Sequence, residues 1–136
     1  MARTYAEDTK VPVTKSHNDI HKMLTSIGAD RIGIMFGGDE GSIVVFQAGD
    51  VMYKFAQPPL AETIRNKEQA ERAAWRALVL LIKAKTVAIQ QGISTIEREF
   101  MADTVMPDGS TLVEHHKALV SHNYGEDGPP RLSFMQ

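Results

Sequence analysis

Apolar residues recur every three or four positions near the start of the chain, which is the spacing of one face of an α-helix. They are Ile20, Met23, Leu24 and Ile27. Ser16 precedes them and Asp19 lies three residues after it, in the pattern of a capping box with Asp in place of the usual Glu. Gly28 follows the last apolar residue, where helices commonly end. The pattern predicts a helix between Ser16 and Gly28, preceded by an extended N-terminal arm over residues 1–14.

The next part of the chain changes from helical spacing to runs of β-branched and aromatic residues, which are typical of strands. The runs span residues 31–36, 42–47 and 51–55, with glycine-containing turns over 37–41 and 48–50. Turns this short join antiparallel neighbours, so we predict a three-stranded antiparallel meander. In the third strand Tyr53 and Lys54 lie on opposite faces, because side chains alternate along a strand. A sheet this small needs a helix to cover one face.

A long helix is predicted after the break at Pro58-Pro59. Residues 68–91 contain no Gly or Pro and are rich in strong helix formers, and Gly92 ends the stretch. The further predicted elements are a helix over residues 95–103, a last helix from Ser110 or Thr111 to about residue 123, and a C-terminal tail over residues 125–136. The sequence therefore predicts one α+β domain over residues 15–124, with a three-stranded antiparallel meander packed against the long helix and shorter flanking helices.

The long helix carries a row of basic residues beside its apolar face. At about 100° per residue, Arg72, Arg76 and Lys83 point within about 40° of one another. Arg65 joins this row if the helix begins early enough. Charge is also segregated along the chain: residues 62–91 hold six basic and three acidic side chains, whereas residues 97–127 hold two basic and seven acidic ones. The local charges are thus +3 and −5.

This basic row has two interpretations. In the first, the cations form a solvated helix face, with Arg72 and Lys83 paired to acids of the C-terminal half. In the second, Arg and Lys side chains one or two turns apart contact successive backbone phosphates, so that affinity falls with salt. Lys54 would then lie nearby, and the ring of Tyr53 would stack on a base. The candidate nucleic-acid-binding residues are Arg72, Arg76, Lys83, Arg65, Lys54 and Tyr53.

The composition limits the chemistry that the chain can perform. It has 136 residues, no cysteine and a formal net charge of −2. The lack of cysteine excludes disulfides, a thiol nucleophile and thiolate metal sites. The near-neutral charge argues against a wholly basic coat for nucleic acid. No apolar run is long enough for a secretory signal or a membrane span, so we expect a cytoplasmic protein with no membrane partner.

Weaker patterns point to enzyme chemistry without establishing it. His17 and His21 have a spacing that can hold a metal, but nothing fixes a third ligand, and two surface histidines explain the pattern as well. The glycines of residues 37–41 resemble a phosphate loop, but the Lys-Ser/Thr ending is missing and a strand follows instead of a helix. We therefore expect a non-enzymatic protein with no cofactor and no metal.

Several segments resemble a family of small phage, prophage and mobile-element proteins. The residues that carry the resemblance include Lys10-Val11-Pro12-Val13, Ala74-Trp75-Arg76-Ala77-Leu78, Gly92-Ile93-Ser94-Thr95-Ile96 and Met106-Pro107-Asp108-Gly109. This resemblance implies a genomic setting and a host cytoplasm, but no activity. The order of three strands and a long basic helix is also similar to that of phage single-strand annealing proteins. That similarity implies a homo-oligomer that holds single-stranded DNA in a positive groove.

Two functional hypotheses follow from these patterns. The first is a phage or mobile-element accessory protein that binds nucleic acid, with single-stranded DNA favoured, during annealing or recombination. The second is a protein-binding inhibitor of a host defence or replication factor, which uses the acidic C-terminal half of the chain. Its binding residues would be Glu97, Glu99, Asp103 and Glu114.

Overall fold

The computed structural model describes residues 8–35, 41–57, 60, 63 and 65–135, and it confirms the predicted α+β class. The elements are α1 (Val13–Ser26), β1 (Asp30–Met35), β2 (Ser42–Ala48), β3 (Val51–Gln57), α2 (Lys67–Gln90), α3 (Ile96–Phe100) and α4 (Leu112–Tyr124). Short 3₁₀ turns cover Met101–Asp103, Gly125–Asp127 and Ser133–Met135. Most of the predicted turn over residues 37–41, the Pro58-Pro59 break and the first half of the predicted arm lie outside the described residues.

Helix α1 begins earlier than the sequence predicts. It starts at Val13, and Pro12 takes the capping position with an extended backbone (φ −63°, ψ 151°) and no side-chain cap. The Ser16 amide donates to the Pro12 carbonyl oxygen over 3.2 Å, and the Ser16 side chain is fully buried in the first turn. The prediction that Ser16 caps the helix is therefore wrong, because the fixed φ of proline sets the start. The predicted end is confirmed: α1 ends at Ser26, and Gly28 has φ 93°.

The sheet is the predicted meander, with strand order β1-β2-β3 and antiparallel pairing throughout. Its register places Phe46 opposite Tyr53 and Val44 opposite Phe55. Val44, Phe46 and Tyr53 are buried, whereas Met52 is exposed, as the alternation of side chains requires. The inner face of the sheet is thus the one that carries Tyr53, and Lys54 lies on the outer face.

Helix α2 covers the inner face and matches its predicted bounds to within one residue. Its start is capped by Asn66, whose side-chain oxygen accepts the amide of Gln69 over 3.1 Å. Helix α2 contributes the buried side chains of Trp75, Val79 and Ile82 to the core. Burial of these large apolar side chains is the main favourable term that holds α2 on the sheet.

The first part of the C-terminal half covers one side of the core, whereas its last helix lies outside the core. The Phe100 ring of α3 lies 5.1 Å from the ring of Phe46, and the Val105 amide donates to the Met52 carbonyl oxygen over 2.8 Å. Residues 104–105 therefore run beside β3, a contact that the sequence does not predict. Helix α4 begins at Leu112 as expected, but none of its residues is buried.

Candidate nucleic-acid interface

Helices α1 and α2 lie side by side and run in the same direction. Three side-chain contacts join the segments that contain them. The Gln69 amide donates to the Thr9 carbonyl oxygen (2.8 Å), the Arg76 guanidinium to the Asp19 carboxylate (2.9 Å), and the Gln90 amide to the Ser26 hydroxyl (2.8 Å). Residue numbers rise together in both segments, so the helices are parallel. The basic row of α2 therefore lies along α1.

Helix α1 contributes basic residues that the sequence reasoning missed. Lys15 and Lys22 are seven residues apart, so they point within about 20° of each other on α1. Lys15 contacts Asp19, which in turn contacts Arg76, and Lys22 lines the same groove as Arg76. The seven-residue spacing of Lys15 and Lys22 can be read from the sequence, but the packing of α1 beside α2 cannot. The cationic face consists of Lys15, Lys22, Arg72, Arg76 and Lys83.

A groove of about 340 Å³ lies between the two helices and forms the middle of the cationic face. Its lining includes the charged residues Asp19, Lys22, Arg76 and Lys83 and the apolar residues Met23, Val79 and Val87. Among the described residues that line it, Asp19 carries the only carboxylate. Three cations and one anion thus share a shallow groove with an apolar floor.

Arg76 is not a free cation. Its Nη1 lies 2.9 Å from Asp19 Oδ2, and Lys15 Nζ lies 3.1 Å from Asp19 Oδ1. The hydrogen bond from Arg76 lowers the pKa of the Asp19 carboxyl, with Lys15 adding to the effect and burial opposing it. An acid thus neutralises one cation of the basic row, but that cation is Arg76 and the acid comes from α1. The first interpretation expected Arg72 and Lys83 to pair with acids of the C-terminal half instead.

The other cations of the α2 row differ in their exposure and in their hydrogen-bond partners. Arg72 is half-buried, and its Nη2 donates to the side-chain oxygen of Gln69 over 2.6 Å. Lys83 is exposed, and no ion pair of its ammonium occurs in the part of the chain that the structure describes. Lys83 is therefore the cation of the α2 row most open to an external anion.

Tyr53 cannot serve as a platform for a base. Its side chain is 2% exposed, and its ring stacks on Phe46 with a centroid distance of 5.1 Å. Burial raises the pKa of its hydroxyl. The sequence-based assignment of Tyr53 is therefore wrong, because the alternation of β3 turns this ring into the core.

Lys54 and Arg65 do not extend the row on α2. Lys54 Nζ donates to the Gly109 carbonyl oxygen over 2.8 Å on the outer face of the sheet, away from α2. Arg65 is exposed but precedes the first residue of α2, Lys67, so it does not follow the helical spacing. The condition under which Arg65 would join the row is not met.

The acidic residues of the C-terminal half are partly engaged within the chain. The Glu99 carboxylate accepts the Ser94 hydroxyl, and burial raises the pKa of Asp103, with Lys85 opposing the shift. Glu97 and Glu114 are exposed. Glu114 also accepts the Thr111 hydroxyl over 3.3 Å, so three of the four acids of the protein-binding hypothesis already have an interaction within the chain or are partly buried.

The histidine pair of α1 does not form a cluster of ligands. The His17 ring meets the Trp75 ring edge-on, with centroids 4.2 Å apart, and burial lowers its pKa. Over the described ranges, no three His, Asp or Glu side chains come close enough to hold a metal ion. In the same part of the chain, no helix combines the length and the apolar character needed to cross a bilayer.

No protein-family model, curated protein or solved structure matches this chain. The resemblance to small phage proteins and the architectural similarity to annealing proteins therefore remain predictions.

Proposed function

We propose that this protein binds nucleic acid through its phosphate backbone along the cationic face, with single-stranded DNA as the favoured form. The observation that carries the proposal is the α1–α2 groove, in which Lys22, Arg76 and Lys83 share the described lining with a single carboxylate. Excess positive charge in a groove with apolar walls attracts a polyanion more strongly than the same charge on an open surface. The setting that we propose is a phage or mobile element acting in the host cytoplasm.

The spacing of the cations suits one strand of phosphates. Along α2, Arg72 and Arg76 are about 6 Å apart and Arg76 and Lys83 about 10 Å apart, from the rise of 1.5 Å per residue. Lys15 and Lys22 form a second, parallel row on α1. We propose that one phosphate backbone lies between the two rows that border the groove, which is the arrangement expected for a single strand.

The proposed binding is electrostatic and independent of base sequence. With Tyr53 buried, none of the described residues assigned to the cationic face is aromatic, so those residues offer the bases no stacking partner. Contacts to phosphates alone fix the position of a strand without reading its sequence. We therefore expect an affinity that depends on salt and strand length much more than on base composition.

Charge reversal tests this proposal. The binding of a fluorescein-labelled oligo(dT) of about 16 nucleotides, the upper end of common site sizes, is followed by fluorescence anisotropy. Lys22→Glu/Lys83→Glu reverses two exposed cations and spares the Arg76–Asp19 pair, so the fold is retained. The matched control, Arg98→Glu/Lys117→Glu, makes the same change in net charge at exposed positions of the C-terminal half.

The proposal predicts that the Lys22/Lys83 variant loses at least about tenfold in affinity, or 1.4 kcal/mol, while the control stays within about twofold. Competition with unlabelled duplex DNA and RNA ranks the three nucleic acids. Equal binding by parent and Lys22/Lys83 variant would contradict the proposed interface. Equal losses in both variants would show an effect of net charge alone.

A protein partner is the second candidate, and the shape of the C-terminal half favours it. Arg98, Met101, Leu112, Val113 and Leu119 line a groove of about 370 Å³ beside α4. Val113 is 54% exposed and Leu119 is 48% exposed, next to the acidic Glu114. We propose that a host protein or a second copy of the chain covers this surface, since contiguous exposed apolar residues commonly mark interaction sites.

An affinity purification from host lysate distinguishes the two candidates. A host partner at α4 should be recovered by the parent and by Lys22→Glu/Lys83→Glu, but lost by Leu119→Glu. Recovery that depends on Lys22 and Lys83 and disappears after nuclease treatment supports nucleic-acid binding instead.

A further inference from the structure

The ion pair of Arg76 and Asp19 lies inside the groove that the proposed function assigns to phosphate. Both side chains are largely covered, with 25% of Arg76 and 21% of Asp19 exposed. Phosphate and carboxylate oxygens accept the same charge-assisted hydrogen bonds from a guanidinium. Asp19 Oδ2 therefore holds Arg76 with the bond that a phosphate oxygen would otherwise receive.

The surroundings of Asp19 are those of a bound anion. Its Oδ1 accepts from Lys15 over 3.1 Å and its Oδ2 from Arg76 over 2.9 Å. Lys22 and Lys83 line the same groove. Two cations thus contact the carboxylate and two more line its groove, so three of these four positive charges remain uncompensated by it. A phosphate that enters the groove meets an attractive field and one resident competitor.

We propose that Asp19 is an internal competitor for phosphate. In the free protein it neutralises Arg76; in the nucleic-acid complex a phosphate oxygen takes over the Arg76 guanidinium, and Asp19 keeps Lys15 as its partner. This inference rests on the proposed function and describes how the affinity of that site for nucleic acid is regulated. The exchange reduces affinity, because binding must first give up an existing ion pair, and it makes the protein release nucleic acid more readily.

Removal of the Asp19 charge tests the exchange. Asp19→Asn keeps the size of the side chain and an oxygen that accepts from Arg76, so the fold is retained. We expect this variant to bind oligo(dT) about five- to tenfold more tightly than the parent, because binding no longer has to break a charged ion pair. The plot of log affinity against log salt should keep the slope of the parent, because Arg76 contacts a phosphate in both complexes.

Two controls separate this exchange from a general effect of charge. Glu97→Gln removes one exposed acid from the C-terminal half and should change affinity by less than about twofold. The double variant Asp19→Asn/Arg76→Gln should lose the gain, because the released guanidinium is absent. In the unmutated protein, the Nε–H resonance of Arg76 should shift when oligo(dT) saturates the site, which tests the exchange without any substitution.

The outcomes distinguish the inference from the proposed function. If parent and Asp19→Asn both fail to bind oligo(dT), the proposed function is wrong. If the parent binds in a manner that depends on Lys22 and Lys83 but Asp19→Asn has the same affinity, the function stands and the competition is disproved. A slope steeper by about 0.7 in Asp19→Asn would also disprove the exchange, because Arg76 would then gain a phosphate contact that it lacks in the parent. A gain that persists in the double variant, or an unmoved Arg76 resonance, also overturns the competition.

Discussion

The ammonium group of Lys85 donates to the carbonyl oxygen of Glu99 and lies 5.2 Å from the centre of the Phe100 ring. This contact ties α2 to α3 at the edge of the core. Lys85 belongs to the basic helix, yet its charge is used within the fold. The relationship separates the cations of α2 that stabilise the protein from those available to a ligand.

Replacement of Lys85 by Met should therefore affect stability and not binding. We expect Lys85→Met to lower the free energy of unfolding by about 1–2 kcal/mol, through loss of the cation–π contact and the hydrogen bond. Urea denaturation measures this loss. The affinity for oligo(dT) should change by less than about twofold; a loss equal to that of Lys22→Glu/Lys83→Glu would mean that total helix charge, and not the groove, determines binding.

The Arg76–Asp19 pair predicts a specific pH dependence of stability. The pKa of Asp19 is lower in the folded chain than its usual 3.8. Its ionised form therefore stabilises the fold above about pH 4, and this contribution is lost as the pH falls through the lowered folded value. Asp19→Asn should lower the free energy of unfolding by about 1 kcal/mol at pH 7.

Urea unfolding of parent and Asp19→Asn at pH 7 and at about pH 3 measures this dependence. The difference between the two proteins should shrink at the acid pH, because the contribution of the ionised carboxylate declines as the pH falls below the usual 3.8 towards the lowered folded value. A difference that grows on acidification would show that the carboxyl is stabilised in its neutral form.

Replacement of Tyr53 tests the corrected position of this ring. Tyr53→Leu removes the aromatic ring from the inner face of the sheet and should cost about 1–3 kcal/mol of stability, through lost burial and stacking on Phe46. The variant should bind oligo(dT) with unchanged affinity, measured by anisotropy at a temperature where it is fully folded. A selective loss of affinity would restore Tyr53 to the interface.

The exposed face of α4 predicts association without a structural role in the monomer. Leu119→Glu should change the free energy of unfolding by no more than about 0.5 kcal/mol, since surface substitutions usually have small effects. If a second copy covers α4, the parent sediments as an oligomer and Leu119→Glu as a monomer. A parent that is monomeric at all concentrations would leave the host protein as the candidate partner at this surface.

Local sequence signals predicted most of the helices and strands, because these elements depend mainly on the residues within and next to them. The predicted bounds of α2 agree with the observed ones to within one residue, since the helix lacks Gly and Pro and follows a capping Asn66. The start of α1 was not predicted correctly, because serine is a common capping residue and Ser16 was taken as the cap. The backbone of Pro12 sets the helix start instead. A pattern of residue types does not show which of two competing start signals the backbone follows.

The interface was predicted only in part because it depends on tertiary packing. The spacing on α2 placed Arg72, Arg76 and Lys83 in one row, but the parallel approach of α1 adds Lys15 and Lys22 and brings Asp19 to Arg76. Alternation along β3 placed Tyr53 and Lys54 on opposite faces without showing which face the helices cover. That choice follows from the whole core.

The salt dependence of oligo(dT) binding tests the central claim most directly. Log affinity should fall linearly with log salt, and the slope should be shallower by about 1.4 in Lys22→Glu/Lys83→Glu, which removes two phosphate contacts at about 0.7 each. The Arg98→Glu/Lys117→Glu control should keep the slope of the parent. Parallel lines for the parent and the Lys22/Lys83 variant, or affinity that does not depend on salt, would contradict the claim that the α1–α2 groove binds a phosphate backbone.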